Sequence, residues 1–224
     1  MPKSKRAQIV SLTKTQKKTR EQKDTLFQQV RDACDSFTSV YVFSVENMRN
    51  TFLKDLRTEW STSKFFFGKN KVMAKALGTT AEEEYKEDLR YVAEKLDGNV
   101  GLLFTNASKE EVEAFFDSYR KQDYARSGCV ATETFELKEG ALFRGEDPFP
   151  HNMEPQLRSL GLPTKLVNGK VMLTRDHVVC HEGSVLTPEQ AQLLKHFFVQ
   201  MAEFHVTLLC HWNNGTFVDL AESS

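Results

Sequence analysis

Three apolar runs rich in β-branched and aromatic residues, Ser39 to Val45 (SVYVFSV), Phe65-Phe66-Phe67 and Val100 to Thr105 (VGLLFT), alternate with stretches of helical periodicity. That alternation is the strongest constraint on what the chain can fold into. A strand buried on both faces reads as a continuous apolar run, and a helix lying on a sheet shows an apolar stripe at i, i+3, i+4 and i+7. Before the first run, Leu26, Phe27, Val30, Ala33 and Cys34 fall on one face of a helix expected from Arg20 to Cys34. Between the first two runs, Met48, Phe52 and Leu56 make the stripe of a helix over 47–58, leaving Asn50, Lys54 and Arg57 on another face. Tyr85, Leu89, Val92 and Leu96 predict a long helix opening at Thr80. Asn70 reads as the N-cap of a short helix ending at Gly78. Ser108 and Glu111 predict a capping box for a helix carrying Val112, Phe115, Phe116 and Tyr119. Strands alternating with such helices imply a layered α/β domain with a largely parallel sheet.

From about residue 126 the character changes. Residues 126–186 hold four of the six prolines and only short β-type runs, which predicts a small mixed, β-leaning insertion domain. Thr187-Pro188-Glu189-Gln190 then reads as an N-cap, a proline at N1 and a capping-box glutamine, starting a helix to about Gln200. Phe204 to Trp212 and Thr216 to Leu220 flank Asn213-Asn214-Gly215, a hairpin signal. The expected organisation is a basic flexible arm over 1–19, a discontinuous α/β domain over 20–125 and 187–221, and the insertion over 126–186.

Charge is distributed unevenly. Residues 1–75 carry 16 Lys/Arg against 7 Asp/Glu, a net of +9, whereas the whole chain has a net charge of -1. A basic stretch beside a neutral-to-acidic remainder suggests one face that meets a polyanion. Solvated charge on helices is the ordinary alternative, and it accounts for scatter better than for a run such as Lys14, Lys17, Lys18, Arg20 and Lys23. The N-terminal segment has no apolar core of a signal peptide, and no apolar run approaches a membrane span. Cys34, Cys129, Cys180 and Cys210 are widely spaced and read as reduced, small apolar residues of a cytosolic or nuclear protein.

Enzyme readings find little support. Gly68-Lys69 lacks the upstream glycine and following Ser/Thr of a phosphate-binding loop, and no dinucleotide-binding, nucleophile-elbow or zinc-protease motif occurs. Cys180-His181 and Cys210-His211 are adjacent pairs on expected strands, so the two side chains of each point to opposite faces and cannot chelate. We therefore expect no catalytic residue, no metal and no cofactor.

Phe67-Gly68-Lys69-Asn70-Lys71-Val72-Met73-Ala74-Lys75 is different. It sets Lys69 and Lys71 at the start of a helix, where the macrodipole is already positive. In isolation that costs a few tenths to about 1 kcal/mol per charge. A phosphate on the exposed amides makes the same arrangement favourable, with the lysines completing its neutralisation. The candidate RNA-binding residues are Gly68, Lys69, Asn70, Lys71 and Lys75, with Lys54, Arg57, Arg49 and Lys23 on the flanking helices. Lys17, Lys18 and Arg20 of the arm complete the set.

The same segment, extended to Ala76-Leu77, resembles the glycine–lysine–asparagine motif of the ribosomal stalk-base family, which comprises acidic P-zero and its bacterial L-ten counterpart. The resemblance continues at Gly98-Asn99-Val100-Gly101-Leu102-Leu103-Phe104-Thr105, at Leu160 to Lys165 and at Asn213-Asn214-Gly215, and covers about residues 20–220. It implies an α/β domain, interrupted by an insertion domain, that grips the stalk-base region of large-subunit rRNA. Stalk proteins of the family continue into helices that recruit small acidic stalk proteins. The present chain stops at Ser224, which is similar to the assembly-factor branch of the family named for mRNA turnover. That branch implies a nucleolar and nuclear protein, able to shuttle to the cytoplasm, that occupies pre-60S particles as a placeholder until P-zero replaces it. Its expected partners are stalk-base rRNA and neighbouring large-subunit ribosomal proteins, with no membrane and a monomeric state. The alternatives are a structural stalk protein of the mature ribosome, a regulatory RNA-binding protein in mRNA turnover and, from a different class, a nucleotide-binding enzyme.

Overall fold

The computed structural model describes residues 19–220. In chain order they form α1 (Arg20–Ser36), β1 (Ser39–Glu46), α2 (Asn50–Glu59), β2 (Lys64–Phe66), α3 (Asn70–Leu77), α4 (Leu89–Glu94), β3 (Val100–Thr105), α5 (Lys109–Ser118) and β4 (Lys121–Asp123). Short strands follow: β5 (Phe135–Leu137), β6 (Gly140–Ala141), β7 (Phe143–Arg144) and β8 (Asp147–Pro148). After them come α6 (Glu154–Ser159), β9 (Thr164–Val167), β10 (Lys170–Leu173) and β11 (His177–Cys180). The described chain closes with α7 (Pro188–His196), β12 (Ala202–Asn213) and β13 (Thr216–Asp219). The expected basic arm falls almost wholly outside the described residues.

The described residues divide into two compact units. The first holds those up to Phe43, Thr62–Asn106 and those from Leu209 onward; the second holds Ser44–Ser61 and Ala107–Leu208. Strands β1 and β12 run from one into the other. In the first unit the sheet order is β13-β12-β1-β3-β2. Every side chain of β3 is buried, and β1 is buried through Phe43. Helices α1, α3 and α4 cover that sheet through a core that includes Val30, Cys34, Val42, Met73, Leu77, Leu89, Leu102, Phe104 and Trp212.

The expectation of a largely parallel sheet needs correction. The ladders β12–β13, β2–β3 and β12–β4 all run antiparallel. Strand–helix alternation fixes that a sheet is covered by helices, but it does not fix strand direction when intervening segments are long enough to return from either end. At β12–β13 the direction is set locally: Asn214 (φ 45°) and Gly215 (φ 88°) form the two-residue, positive-φ turn that suits the twist of a hairpin.

The helix expected from Thr80 is also much shorter. Only Leu89–Glu94 is helical, and residues 79–88 are held in turns by tertiary bonds. Tyr85 N donates to Leu77 O at 2.9 Å, and the Trp212 indole N–H donates to Glu87 O at 2.9 Å. The Lys86 ammonium reaches Cys34 O, and Asp88 adopts a left-handed backbone at φ 63°. Tyr85, Leu89, Val92 and Leu96 do reach one core as their spacing implied, though not along one helix. Trp212 is only 1% exposed. Trp212→Phe removes part of a packed ring and the bond to Glu87, so we expect a loss of about 1–2 kcal/mol in a urea titration.

The starts of α1, α5 and α7 follow the sequence closely. Thr19 with Gln22 and Thr187 with Gln190 form complete capping boxes, and Pro188 opens α7. Ser108 accepts from Glu111 N, which is one half of the expected box. Helix α7 ends at His196, short of Gln200, because Phe198 turns to φ 60°. In the second unit a separate core gathers Leu142, Phe149, Leu157, Leu173, Leu186 and Leu194. Its strands are short, with β6-β10-β9 as the longest sheet within the insertion. Helix α6 was not anticipated, although Pro155 in its first turn is compatible with a helix start. The four cysteines are free thiols, and burial pushes Cys34 and Cys210 up to about 12. No described helix is long and apolar enough to cross a membrane.

Candidate nucleic-acid interface

Helix α3 begins without a side-chain cap. Lys69 occupies the N-cap position in extended conformation, and no side chain accepts from the first-turn amides. Asn70, expected to cap, does something else: its Nδ2 donates to Gly98 O at 2.9 Å, tying the helix start to the turn before β3. The capping role is therefore corrected, because the side chain one residue into the helix reaches sideways rather than back over the first turn. An uncapped start leaves amide N–H groups and the positive end of the dipole available to an anion. Lys69 and Lys71 flank it, both exposed.

Helix α1 lies beside this helix over a shared core, and Gly68 marks one close contact between them. A Cβ there would sit 2.4 Å from Leu26 Cδ2, so the loop before α3 and the apolar face of α1 meet closely. That contact brings Lys23, one turn earlier on α1, alongside α3. Between the two helices runs an open groove of about 410 Å³, lined by Lys23, Asp24, Phe27, Gln28, Lys71, Val72 and Lys75. Asp24 is its only acid, and it pairs with Arg20 at 3.7 Å. That pair is highly exposed and weak. Among the described residues, none of Lys23, Lys69, Lys71 and Lys75 forms an ion pair.

One wall of the groove is organised from behind. The Arg31 guanidinium lies 4.4 Å from the Phe27 ring centroid and 4.8 Å from that of Tyr85. Its Nε donates to Ala76 O at 3.2 Å, near the C-terminal end of α3, where a cation is also favoured by the dipole. Tyr85 OH donates to Asp35 Oδ2 at 2.6 Å, a bond that raises the tyrosine pKa above its usual range.

The remaining candidates are placed differently. Lys54 and Arg57 are exposed on α2 and belong to the second unit. Arg49, also in the second unit, is engaged: it pairs with Asp123, and its Nη2 donates to Tyr124 O at 2.6 Å. It lines a wider groove there with Arg126, Lys195 and His196. Lys17 and Lys18 lie outside the described residues. The structure thus gathers Lys23, Lys71 and Lys75 in one groove, whereas Gly68, Lys69 and Asn70, just before Lys71 in the chain, do not line it. Sequence reasoning missed Phe27 and Gln28. Phe27 was counted with the core stripe of α1, and its place at the edge of that stripe was the available signal. No group of three or more potential metal-ligating side chains occurs among the described residues.

Residues 18–121, which include the whole groove, match the family model of Ribosomal protein L10. Residues 125–199 match a second model, that of the insertion domain in the 60S ribosomal protein of the same family. Over its full length the chain is 44% identical to the ribosome assembly factor mrt4 of Dictyostelium discoideum, covering 99% of that protein. The chain belongs to the Mrt4 family. It is likewise 43% identical to the ribosome assembly factor mrt4 of Schizosaccharomyces pombe over 100% of this chain and 97% of that one. Similarity to the large ribosomal subunit protein uL10 of Saccharomyces cerevisiae is lower, at 26% over 88% of this chain and 61% of the longer protein. Mrt4-family membership and the match to Ribosomal protein L10 agree with the resemblance carried by Gly68-Lys69-Asn70 and Gly98-Asn99-Val100-Gly101.

Proposed function

We propose that the chain is a non-catalytic ribosome biogenesis factor that binds the stalk-base region of large-subunit rRNA in pre-60S particles. It holds that site as a placeholder for the acidic stalk protein P-zero and is later exchanged for it. Membership of the Mrt4 family supports the role in ribosome assembly, and the relation to uL10 supports the large subunit as its setting. The observation that carries the RNA reading is the groove between α1 and α3, with three lysines free of ion pairs beside an uncapped helix start. A polyanion is the partner that such a surface lacks. Phosphates sit on the Lys69/Lys71 helix start and along the lysine rim, and their release of counterions supplies the binding free energy.

Exchange follows from a shared site, since two proteins that grip one RNA surface exclude each other. In this reading the protein acts in the nucleolus and nucleus, as a monomer among neighbouring large-subunit proteins. The test is binding of the purified chain to an rRNA fragment spanning the stalk base, over a salt series, with and without P-zero. We expect binding far tighter than to unrelated RNA of equal length, and displacement by P-zero. Equal affinity for both RNAs would remove the specific site and leave only generic attraction by basic charge.

A second reading, a structural protein of the mature ribosome, is favoured by the similarity to uL10. Sedimentation separates the two. The placeholder is found in pre-60S fractions and absent from translating 80S ribosomes, where a structural stalk protein persists.

A further inference from the structure

We propose that the α1–α3 groove receives one unpaired nucleotide of the RNA, its base stacked on the Phe27 ring and the phosphates on its two sides held by Lys71 and Lys75. The inference rests on the RNA-binding reading above and names what this part of the site recognises.

Phe27 lines the groove, while the Arg31 guanidinium that covers one side of its ring does not. The ring, partly packed on the core, therefore borders the groove from a side that Arg31 does not fill. The Arg31 bond to Ala76 O holds this backing in place, so the platform is ordered before any ligand arrives. A half-buried aromatic ring in a groove with three lysines is the pairing used for unpaired bases: the ring takes the base, and the cations take the backbone. Duplex RNA presents its phosphates but keeps its base faces stacked, leaving an aromatic wall with nothing to contact. The volume of about 410 Å³ suits a single nucleotide and falls in the range of small-ligand sites. Gln28, at the same wall, brings both a donor and an acceptor within the groove, as a base edge requires.

The probe is an RNA hexamer of adenosines, compared with a hexamer of the same phosphates that lacks the bases. The unmodified chain should bind the base-bearing hexamer at least about fivefold more tightly. Phe27→Leu, which keeps the packing against the core, should abolish that preference while leaving the salt slope unchanged. Phe27→Trp should preserve it. Equal affinity for the two hexamers, or a preference that survives Phe27→Leu in a folded protein, overturns the inference. The stalk-base fragment is titrated in parallel. If it binds specifically while the hexamers do not differ, the groove takes phosphate alone and the rRNA reading stands. If the hexamer preference holds but the fragment binds no better than unrelated RNA, the groove is a nucleotide site and the rRNA reading falls.

Discussion

Replacing the three groove lysines together, Lys23→Ala with Lys71→Ala and Lys75→Ala, should lower affinity for stalk-base rRNA roughly 100-fold at 0.1 M salt. Each phosphate contact contributes about 0.7–0.9 to the slope of log affinity against log salt. Three contacts therefore contribute about two orders of magnitude between 1 M and 0.1 M, and the slope itself should flatten by about 2–3. The fold should be unaffected. None of the three makes an ion pair among the described residues, and surface substitutions of this kind stay within about 0.5 kcal/mol. Lys71→Ala even relieves a cation at the positive end of α3. A fluorescence-anisotropy titration at four salt concentrations reads both quantities. An unchanged slope in a folded triple variant would take the phosphate contacts away from this groove. The pair Lys54→Ala with Arg57→Ala, made on α2 of the second unit, tests separately how far the RNA surface extends.

Gly78→Ala should be the most damaging single methyl group in the first unit, with a loss of about 3–5 kcal/mol. Gly78 closes α3 at φ 101°, ψ 136°, a positive-φ conformation outside the left-handed helical well that costs other residues about 1–3 kcal/mol. Sterics add to this. A Cβ would lie 2.4 Å from Glu84 Cα, 2.5 Å from Glu83 O and 2.7 Å from Glu84 N, all of them backbone atoms. Backbone cannot swing aside as a side-chain end can, so the 83–85 turn must move, and the Tyr85 N to Leu77 O bond goes with it. Domains are stable by only about 5–15 kcal/mol, so the variant should unfold at much lower urea. Gly98→Ala is the control. Gly98 is also at positive φ (70°) but a Cβ there would meet nothing within 4 Å, so only the conformational cost of about 1–2 kcal/mol remains. Equal midpoints for the two variants would mean that the close approach at Gly78 is relieved at little cost.

Much of the local structure was legible in the residues. The start of α1, the runs of β1 and β3, the start of α7 and the β12–β13 turn were each written in a cap, a turn pair or an apolar run. These signals act between residues a few positions apart and need no knowledge of the rest of the chain. The resemblance carried by Gly68-Lys69-Asn70 and Gly98-Asn99-Val100-Gly101 was legible for the same reason, since both segments are short and continuous.

Failures came where a distant group won. Periodicity assigned Thr80 to Leu96 to one helix, but bonds from Leu77, Cys34 and Trp212 hold its first half in turns. Asn70 had the chemistry of a cap, yet Gly98 O lay within reach and took its amide. Strand direction was likewise invisible in the alternation of elements.

The candidate site shows the division most sharply. By itself the sequence determined that a basic helix start stood at Lys69 and Lys71, because charge and turn chemistry are local. Only the tertiary structure decided that Lys23, Phe27 and Gln28 of α1 would face them across a groove. That rests on packing such as the close approach of Gly68 to Leu26, residues 42 positions apart, whose energy exists only once the two helices have packed.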